Sequence, residues 1–410
     1  MDAHPLQPSF ERIDAVLRVT TALLTRELVA ASDEPPAWDE VEWGIARAVV
    51  TMQGIAPLLA MQSRWSDRPS WHRFLQEQRQ HVAARQRRIE ALLTSLDVKA
   101  QARGVALVPL KGAALHALGL YQAGDRPMAD LDLLVSLPDK DAATQLMTDC
   151  GFDITFENRR HQLFEMRGVR SRSVELGEHA DNPIKVELHT AIREHLPVDE
   201  VDITDFIFPL HTAAGLNKYR SYASLMMHLL LHAASNMRAR ALRLIQLHDI
   251  ARLSARFSAA DWDELLTARP NGAGLWWAAP PLILVVRYCS AAVPLSVMQA
   301  LEKQCSLLLR RAAARQTIAD VSWSNIKVYA LPGIEWSRSV GEALRFASSR
   351  LLPSRETRAE LRHYAEHEQG ASIIPWYDVS QRQRIMRWLI SRPPRVQTLR
   401  VVRAALDQTA

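Results

Sequence analysis

The sequence is poor in cysteine, and its three cysteines, Cys150, Cys289 and Cys305, lie far apart along the chain. An odd number of scattered cysteines gives no disulfide framework and matches no zinc-binding spacing. This cysteine usage is typical of a protein in a reducing compartment. We therefore expect a cytoplasmic location.

Long hydrophobic runs and a signal sequence are also missing. The most apolar run, residues 275–286, contains two adjacent prolines and ends at Arg287, so it is too short to span a bilayer. The first residues, MDAHPLQPSFERID, lack the basic stretch and apolar core of a signal peptide. We predict neither a membrane span nor a signal peptide.

Excess charge is confined to one end of the chain. The net charge is +5, yet residues 381–410 alone carry +6, from seven arginines and one aspartate. This basic tail contains Arg382, Arg384, Arg387, Arg392, Arg395, Arg400 and Arg403. One interpretation is a solvated amphipathic helix. The other is a surface for an acidic acceptor such as RNA, which makes nucleic acid a candidate partner through residues 382–403.

Hydrophobic periodicity divides the chain into three parts. Helical spacing of apolar residues predicts a helical N-terminal region at 1–103 and a helical C-terminal region, including the basic tail, at 211–410. Short apolar runs between polar turns predict a mixed sheet with a few helices at 104–210. Beyond residue 135, strands are predicted at 152–157, 161–167, 173–176 and 184–189. The fold class is therefore α+β, with a small mixed sheet flanked by helical regions.

The longest predicted helix, residues 71–102, has a basic face. It carries Arg79, Arg85, Arg87 and Arg88. We interpret this face as solvated, because charge runs on helices usually face water, and contact with phosphate or RNA is the alternative.

Residues 104–135 have the pattern strand, tight turn, helix, loop and strand. In the second strand Asp130 and Asp132 alternate with leucines, so both carboxylates point to one face and the leucines to the core. Two like charges on one face are costly unless a cation lies between them, and Mg²⁺ combines one or two carboxylates with substrate phosphates. The turn at Lys111 and Gly112 opens a helix N-terminus, where anions bind. The stretch predicts a nucleoside triphosphate site.

Three motifs in this stretch follow one another in a characteristic order. They are Leu110-Lys111-Gly112, Asp125-Arg126-Pro127 and Asp130-Leu131-Asp132-Leu133-Leu134-Val135. The set resembles the bacterial "uncharacterised nucleotidyltransferase" family, part of the polymerase-beta-like nucleotidyltransferase superfamily. The resemblance implies a nucleotidyltransferase catalytic domain at 104–210 and a third carboxylate on a later strand.

Two glutamates are candidates for this third carboxylate. Glu187, in Val186-Glu187-Leu188-His189, matches the valine-glutamate-leucine-histidine pattern of the family, and Glu175 is its rival. Alternation alone does not separate them, and the resemblance favours Glu187. His189 shares the face of Glu187 and is expected to orient a carboxylate or phosphate, or to be a hydrogen-bonded structural histidine.

The predicted nucleotide-binding residues are Lys111, Gly112, Ala113, Arg126 and His189. Lys111 lies at the glycine turn, where an ammonium can reach a triphosphate. Arg126 is placed to neutralise the pyrophosphate or to orient Asp130, with a loop salt bridge as the alternative. The wider superfamily has glycine-serine at the turn, whereas Ala113 follows Gly112 here, so we expect Lys111 to replace the missing hydroxyl.

The resemblance implies transfer of a nucleoside monophosphate from a triphosphate, such as ATP, to an acceptor hydroxyl, with release of pyrophosphate. In this hypothesis Asp130, Asp132 and Glu187 hold two Mg²⁺ ions, for which Mn²⁺ can substitute. One ion clamps the triphosphate and the other lowers the pKa of the acceptor hydroxyl, or Glu187 acts directly as the general base. A small molecule, a sugar, a peptide or an RNA end are the acceptors considered.

Two other function classes remain open at this stage. One is a catalytically degenerate scaffold that binds nucleotides. The other is a metal-dependent phosphohydrolase of the HD kind, suggested by His228 and His232 on one helical face and by His248-Asp249 further on. Core histidines with hydrogen-bond partners are the simpler interpretation of this helix.

Overall fold

The structure is a computed structural model that describes residues 8–65, 67–158, 161–168, 176–289, 293–352, 380–391 and 394–408. It confirms the α+β fold class, because helices before and after a mixed sheet make up most of these residues. The predicted strand at 173–176 falls largely outside this part of the chain, and so does Glu175.

Four helices lie before the sheet in the part of the chain that the structure describes. They are α1 (Phe10–Val29), α2 (Glu40–Met52), α3 (Ala56–Gln62) and α4 (Pro69–Arg103). Asp39 and Glu42 form a capping box at the start of α2, which satisfies backbone N–H groups that have no partner within the helix. The 35-residue α4 ends at Gly104, whose left-handed backbone (φ 70°) is readily adopted only by glycine.

Within the described ranges the sheet has six strands, in the order β3-β4-β5-β2-β1-β8. Their bounds are β1 Ala106–Pro109, β2 Asp130–Val135, β3 Phe152–Glu157, β4 His161–Met166, β5 Lys185–His189 and β8 Gly215–Leu216. A separate hairpin pairs β6 (Arg193–His195) with β7 (Glu200–Asp202). Strand β2 is central, since it runs antiparallel to β1 and parallel to β5.

Short helices connect these strands. Helix α5 (Lys111–Ala117) follows β1, α6 (Lys140–Asp149) follows β2, and α7 (Thr204–Ile207) follows β7. One face of the sheet packs on α4 and α6 in a core that includes Leu96, Leu131, Leu133 and Leu146. Burial of each such side chain stabilises the fold by about 1.5–3 kcal/mol. The alternation predicted for β2 therefore places Leu131 and Leu133 in this core.

The remaining helices cover the other face and extend to the C-terminus. They are α8 (Tyr222–Ala239), α9 (Leu244–Ser254), α10 (Ala259–Thr267), α11 (Ala279–Cys289), α12 (Leu295–Gln304), α13 (Leu307–Arg315), α14 (Ile318–Val321), α15 (Val340–Leu351), α16 (Gln381–Ser391) and α17 (Val396–Asp407). Buried side chains of α1, α2, α8, α9 and α17 belong to one hydrophobic core. The domain boundaries at 103/104 and 210/211 stay a prediction.

No single helix in the described ranges is long and apolar enough to cross a membrane. Helices α2 and α3 together reach the required length and composition, but they meet at an angle of 112°. Most of their side chains, Ile45, Val49 and Leu59 among them, are buried in the core of the protein.

Candidate active site

Strands β2 and β5 bring two of the predicted acids side by side. The parallel register places Asp132 opposite Glu187, and it places Asp130 one pair further along the same face. Residues opposite each other on neighbouring strands point to the same side of a sheet. The alternate leucines of β2 point the other way, into the core against α4. One sheet face therefore carries Asp130, Asp132 and Glu187.

Asp132 is the centre of a hydrogen-bonded cluster. Lys111 Nζ donates to Asp132 Oδ1 at 3.0 Å, and His189 Nε2 lies 3.0 Å from the same oxygen. His189 Nε2 is also 3.4 Å from Glu187 Oε2. The Asp132 side chain is only 8% exposed, so these partners supply the solvation that water would otherwise give.

The charges of this cluster shift one another's pKa values. Burial alone would raise the pKa of Asp132, but Lys111 and His189 outweigh burial and hold it well below its usual range. Burial alone would lower the pKa of Lys111, yet the negative charges of Asp132, Asp130 and Glu187 raise it. The pKa of His189 is likewise raised by its bonds to Asp132 and Glu187, against the effect of burial. Lys111 and His189 thus neutralise a group of acids.

Asp130 differs from Asp132 because its side chain has no hydrogen bond or ion pair with another described residue. It begins β2 at the mouth of a cleft, where it is exposed. The enclosing cleft and the negative charges of Asp132 and Glu187 raise the pKa of Asp130 to about 7. An added cation would stabilise the charged form of the Asp130 carboxylate in this position.

Asp132, Glu187 and His189 are the group of described residues arranged to hold a metal ion. Their ligand atoms all lie within 4.8 Å of one another. Oxygen-rich sites suit Mg²⁺ and Mn²⁺, and Asp130 on the same sheet face adds a further oxygen donor. The residues present therefore fit the divalent cation that the sequence predicts.

The turn between β1 and α5 lies against this cluster. Lys111 has a left-handed backbone (φ 46°), which is uncommon for residues other than glycine, and its N–H donates to the Tyr219 hydroxyl at 3.2 Å. The Ala113 N–H donates to the Leu110 carbonyl at 3.2 Å. The backbone amides of Lys111 and Ala113 are thus already hydrogen-bonded within the protein.

Gly112 is required for the position of Arg126. A Cβ at residue 112 would lie 2.1 Å from Arg126 Nη1 and 2.9 Å from Met128 Cγ. The Arg126 guanidinium donates to both carboxylate oxygens of Asp249 on α9, at 2.8 Å and 2.7 Å. The Tyr121 hydroxyl donates to the same buried aspartate at 2.8 Å. Arg126 therefore forms the salt bridge that the sequence left as an alternative.

A cavity of about 450 Å³ lies over the acidic face. The turn and β2 form one wall, with Lys111, Asp130 and Asp132, and helices α8 and α9 form another, with His232 and Arg243. Trp323 and Val401, which come from the C-terminal region, close it. This volume is within the range of small-molecule sites in proteins.

Arg85 on α4 is a positioning residue that the sequence does not reveal. Its side chain is 3% exposed, and Nη2 donates to the carbonyls of Met128 and Ala129 just before β2. Nη1 donates to the carbonyls of Asn182 and Pro183 just before β5. The interpretation of the basic face as solvated is therefore wrong for Arg85, because this side chain is buried and donates to backbone carbonyls instead of water.

The histidines of α8 have partners inside the protein. His228 Nδ1 lies 2.8 Å from the Tyr219 hydroxyl, and His232 Nε2 lies 3.2 Å from Asn236 Nδ2. Burial lowers the pKa of His232 to about 3 and holds that of His228 well below its usual value. Within the residues described, His228, His232 and Asp249 form no group able to hold a metal.

The second half of the basic tail is part of the fold. Thr398, Leu399, Val402 and Ala405 of α17 are buried, and α17 packs against α2. Arg382 and Arg387 on α16 are exposed to solvent. The placement of Arg392 and of the Arg384 side chain lies outside the described part of the chain.

A glycine turn followed by acids on neighbouring strands, beneath a cavity of this size, is the arrangement of a nucleotidyltransferase, a transferase of phosphorus-containing groups. The chain belongs to the family described as uncharacterised nucleotidyltransferase, whose model matches residues 39–289. This confirms the resemblance. Comparison with curated proteins and with solved structures gave no match in either case. The matched region includes the acids, Lys111 and Arg243, and it ends before Trp323 and Val401.

Proposed function

We propose that the protein moves a nucleoside monophosphate from a nucleoside triphosphate to an acceptor hydroxyl and releases pyrophosphate. Asp130, Asp132 and Glu187 are the proposed catalytic and metal-binding residues. The observation that carries this proposal is the in-register pairing of Asp132 with Glu187 on parallel strands, on the sheet face whose Asp130 and Asp132 line the cavity.

Mg²⁺ is the proposed cofactor, as two ions, with Mn²⁺ as a substitute. The donor set supports this choice, because three carboxylates and one imidazole favour cations that prefer oxygen. When bound, such ions supply charge neutralisation for the triphosphate and a lowered pKa for the acceptor hydroxyl.

Lys111 has two successive partners in this proposal. In the structure its ammonium neutralises Asp132 at 3.0 Å. With a divalent cation on Asp132, the Lys111 ammonium would be free to donate to a phosphate oxygen, and such a charge-assisted hydrogen bond is strong. His189 keeps the carboxylates of Asp132 and Glu187 in place through its Nε2.

Glu187 is the proposed proton acceptor for the attacking hydroxyl. It lies on β5, toward the outer strands of the sheet, and it is more exposed than Asp132, with 24% of its side chain accessible against 8%. A general base must lie within hydrogen-bonding reach of the proton that it removes. The exposed part of the Glu187 side chain is open to an acceptor in this way.

Arg126, Gly112 and Ala113 are the further proposed nucleotide contacts. All three line the cavity. Arg126 is fixed by Asp249, so its guanidinium is a preorganised positive charge beside the triphosphate rather than a mobile one. Gly112 permits this placement because it has no side chain.

The experiment that tests the proposal is a transfer assay with each of the four nucleoside triphosphates, labelled at the α-phosphate, and a cell extract as the source of acceptor. The wild type should label a small molecule, a sugar, a peptide or an RNA end, and the labelled species then names the acceptor class. The double variant Asp130→Asn, Asp132→Asn should lose at least 100-fold of this activity. Asp153→Asn, on the exposed edge strand β3, is the matched control and should keep it. Full transfer by the double variant would contradict the proposal.

A further inference from the structure

Among the described residues of the cavity wall, three carry a permanent positive charge: Lys111, Arg126 and Arg243. Lys111 is bonded to Asp132, and Arg126 is bonded to both oxygens of Asp249. The guanidinium of Arg243 is the remaining positive charge, and unlike the other two it is not bonded to a carboxylate in the described ranges.

The Arg243 side chain is held in place through one of its five N–H groups. Nε donates to the Met52 carbonyl at the end of α2, at 2.8 Å. The end of the side chain lies against Gly54, where a Cβ would be 3.2 Å from Arg243 Nη2. The structure gives Nη1 and Nη2 no hydrogen bond and no ion pair with any described residue. The guanidinium is thus anchored and still has four N–H donors to offer.

Asp130 lines the same cavity, and its carboxylate has no hydrogen-bond or ion-pair partner among the described residues. The two groups have opposite charge, yet they form no ion pair within 4.0 Å. Two opposite charges that line one cavity without meeting leave room for a ligand that is positive toward Asp130 and negative toward Arg243. A metal–phosphate unit has this distribution of charge.

We propose that Arg243 binds the triphosphate of the nucleotide, opposite the metal-binding acids, and positions it for transfer; this rests on the proposed function. The planar guanidinium fork matches two oxygens of one phosphate, which a lysine at this position cannot do. Arg243 thus adds a second phosphate contact to the one proposed for Lys111 at the turn where Ala113 stands in place of a serine.

The test is calorimetric titration of the full chain with inorganic tripolyphosphate in saturating Mg²⁺, and separately with Mn²⁺ alone. Tripolyphosphate carries the phosphates without a base, so it reports on this contact directly. Arg243→Gln should weaken tripolyphosphate binding about 10- to 100-fold and leave Mn²⁺ binding unchanged. Arg256→Gln removes one exposed arginine just after α9 and should change neither affinity.

Three outcomes separate the inference from the proposed function. The inference is supported if Arg243→Gln binds tripolyphosphate more weakly than the wild type does, while Arg256→Gln does not. Equal binding by Arg243→Gln and wild type overturns it and leaves the proposed function intact. A wild type that binds neither Mn²⁺ nor tripolyphosphate overturns both.

A second variant covers the case in which loss of the Met52 contact unfolds Arg243→Gln. Arg243→Lys keeps the charge and loses the fork, so it should bind tripolyphosphate several-fold more weakly than wild type does. An affinity equal to that of the wild type would overturn the inference.

Discussion

Gly112 and Arg126 are in such close contact that a single added carbon at position 112 would lie 2.1 Å from Arg126 Nη1. The two residues belong to the first and second motifs by which the chain resembles its family. The contact explains why both motifs are needed: residue 112 must have no side chain if Arg126 is to reach Asp249.

Gly112→Ala should displace Arg126 from Asp249. We expect a loss of about 1–3 kcal/mol in the free energy of unfolding, because the neighbouring atoms are side chains packed in the protein interior. Gly341→Ala is the control, since a Cβ there meets only Ser339 Oγ, at 3.9 Å. Chemical denaturation measures both. Equal stability of Gly112→Ala and the wild type would show that Arg126 can move without cost.

Arg85→Ala should destabilise the active site from a distance. The substitution removes the donors for four backbone carbonyls ahead of β2 and β5 and leaves Glu178 without its ion-pair partner. Loss of one partner of a buried pair costs about 3–5 kcal/mol. The neighbouring Arg87 is exposed, so Arg87→Ala should be neutral in the same thermal or chemical denaturation experiment. A free energy of unfolding of Arg85→Ala within about 1 kcal/mol of that of the wild type would refute this role.

Stability should fall in mild acid because of buried neutral histidines. Burial lowers the pKa of His232 to about 3 and that of His248 to about 4, whereas an unfolded histidine titrates near 6.5. Below about pH 6.5 the unfolded chain binds more protons than the folded one, so the free energy of unfolding decreases as pH decreases. Each such histidine contributes up to about 1.4 kcal/mol per pH unit.

His232→Asn isolates one of these contributions. Denaturation of the variant between about pH 6 and pH 4 should show a slope that is smaller than that of the wild type by up to about 1.4 kcal/mol per pH unit. An unchanged slope would mean that His232 is protonated in the folded protein.

The sequence predicts the elements of the site better than it predicts their partners. Alternation in β2 correctly indicates that Leu131 and Leu133 enter the core under the acids, since period-two patterning is a local property. The pairing of Asp132 with Glu187 depends on a strand register that no local pattern contains. Glu187 was favoured only through the family resemblance.

Long-range polar contacts were missed for the same reason. Arg85 is one arginine in a basic helix, and its carbonyl partners lie 43 to 98 residues away. Asp249 lies 123 residues from Arg126, and the sequence around it indicates only a histidine-aspartate motif. Buried polar groups must find partners, but hydrophobic periodicity does not say which ones.

The central claim is that the acids on β2 and β5 bind a divalent cation, and the most direct measurement is a Mn²⁺ titration followed by electron paramagnetic resonance. The wild type should bind Mn²⁺. The double variant Asp132→Asn, Glu187→Gln should bind it at least tenfold more weakly. Asp153→Asn should bind Mn²⁺ as the wild type does. Equal Mn²⁺ affinity in the wild type and in Asp132→Asn, Glu187→Gln would contradict the account.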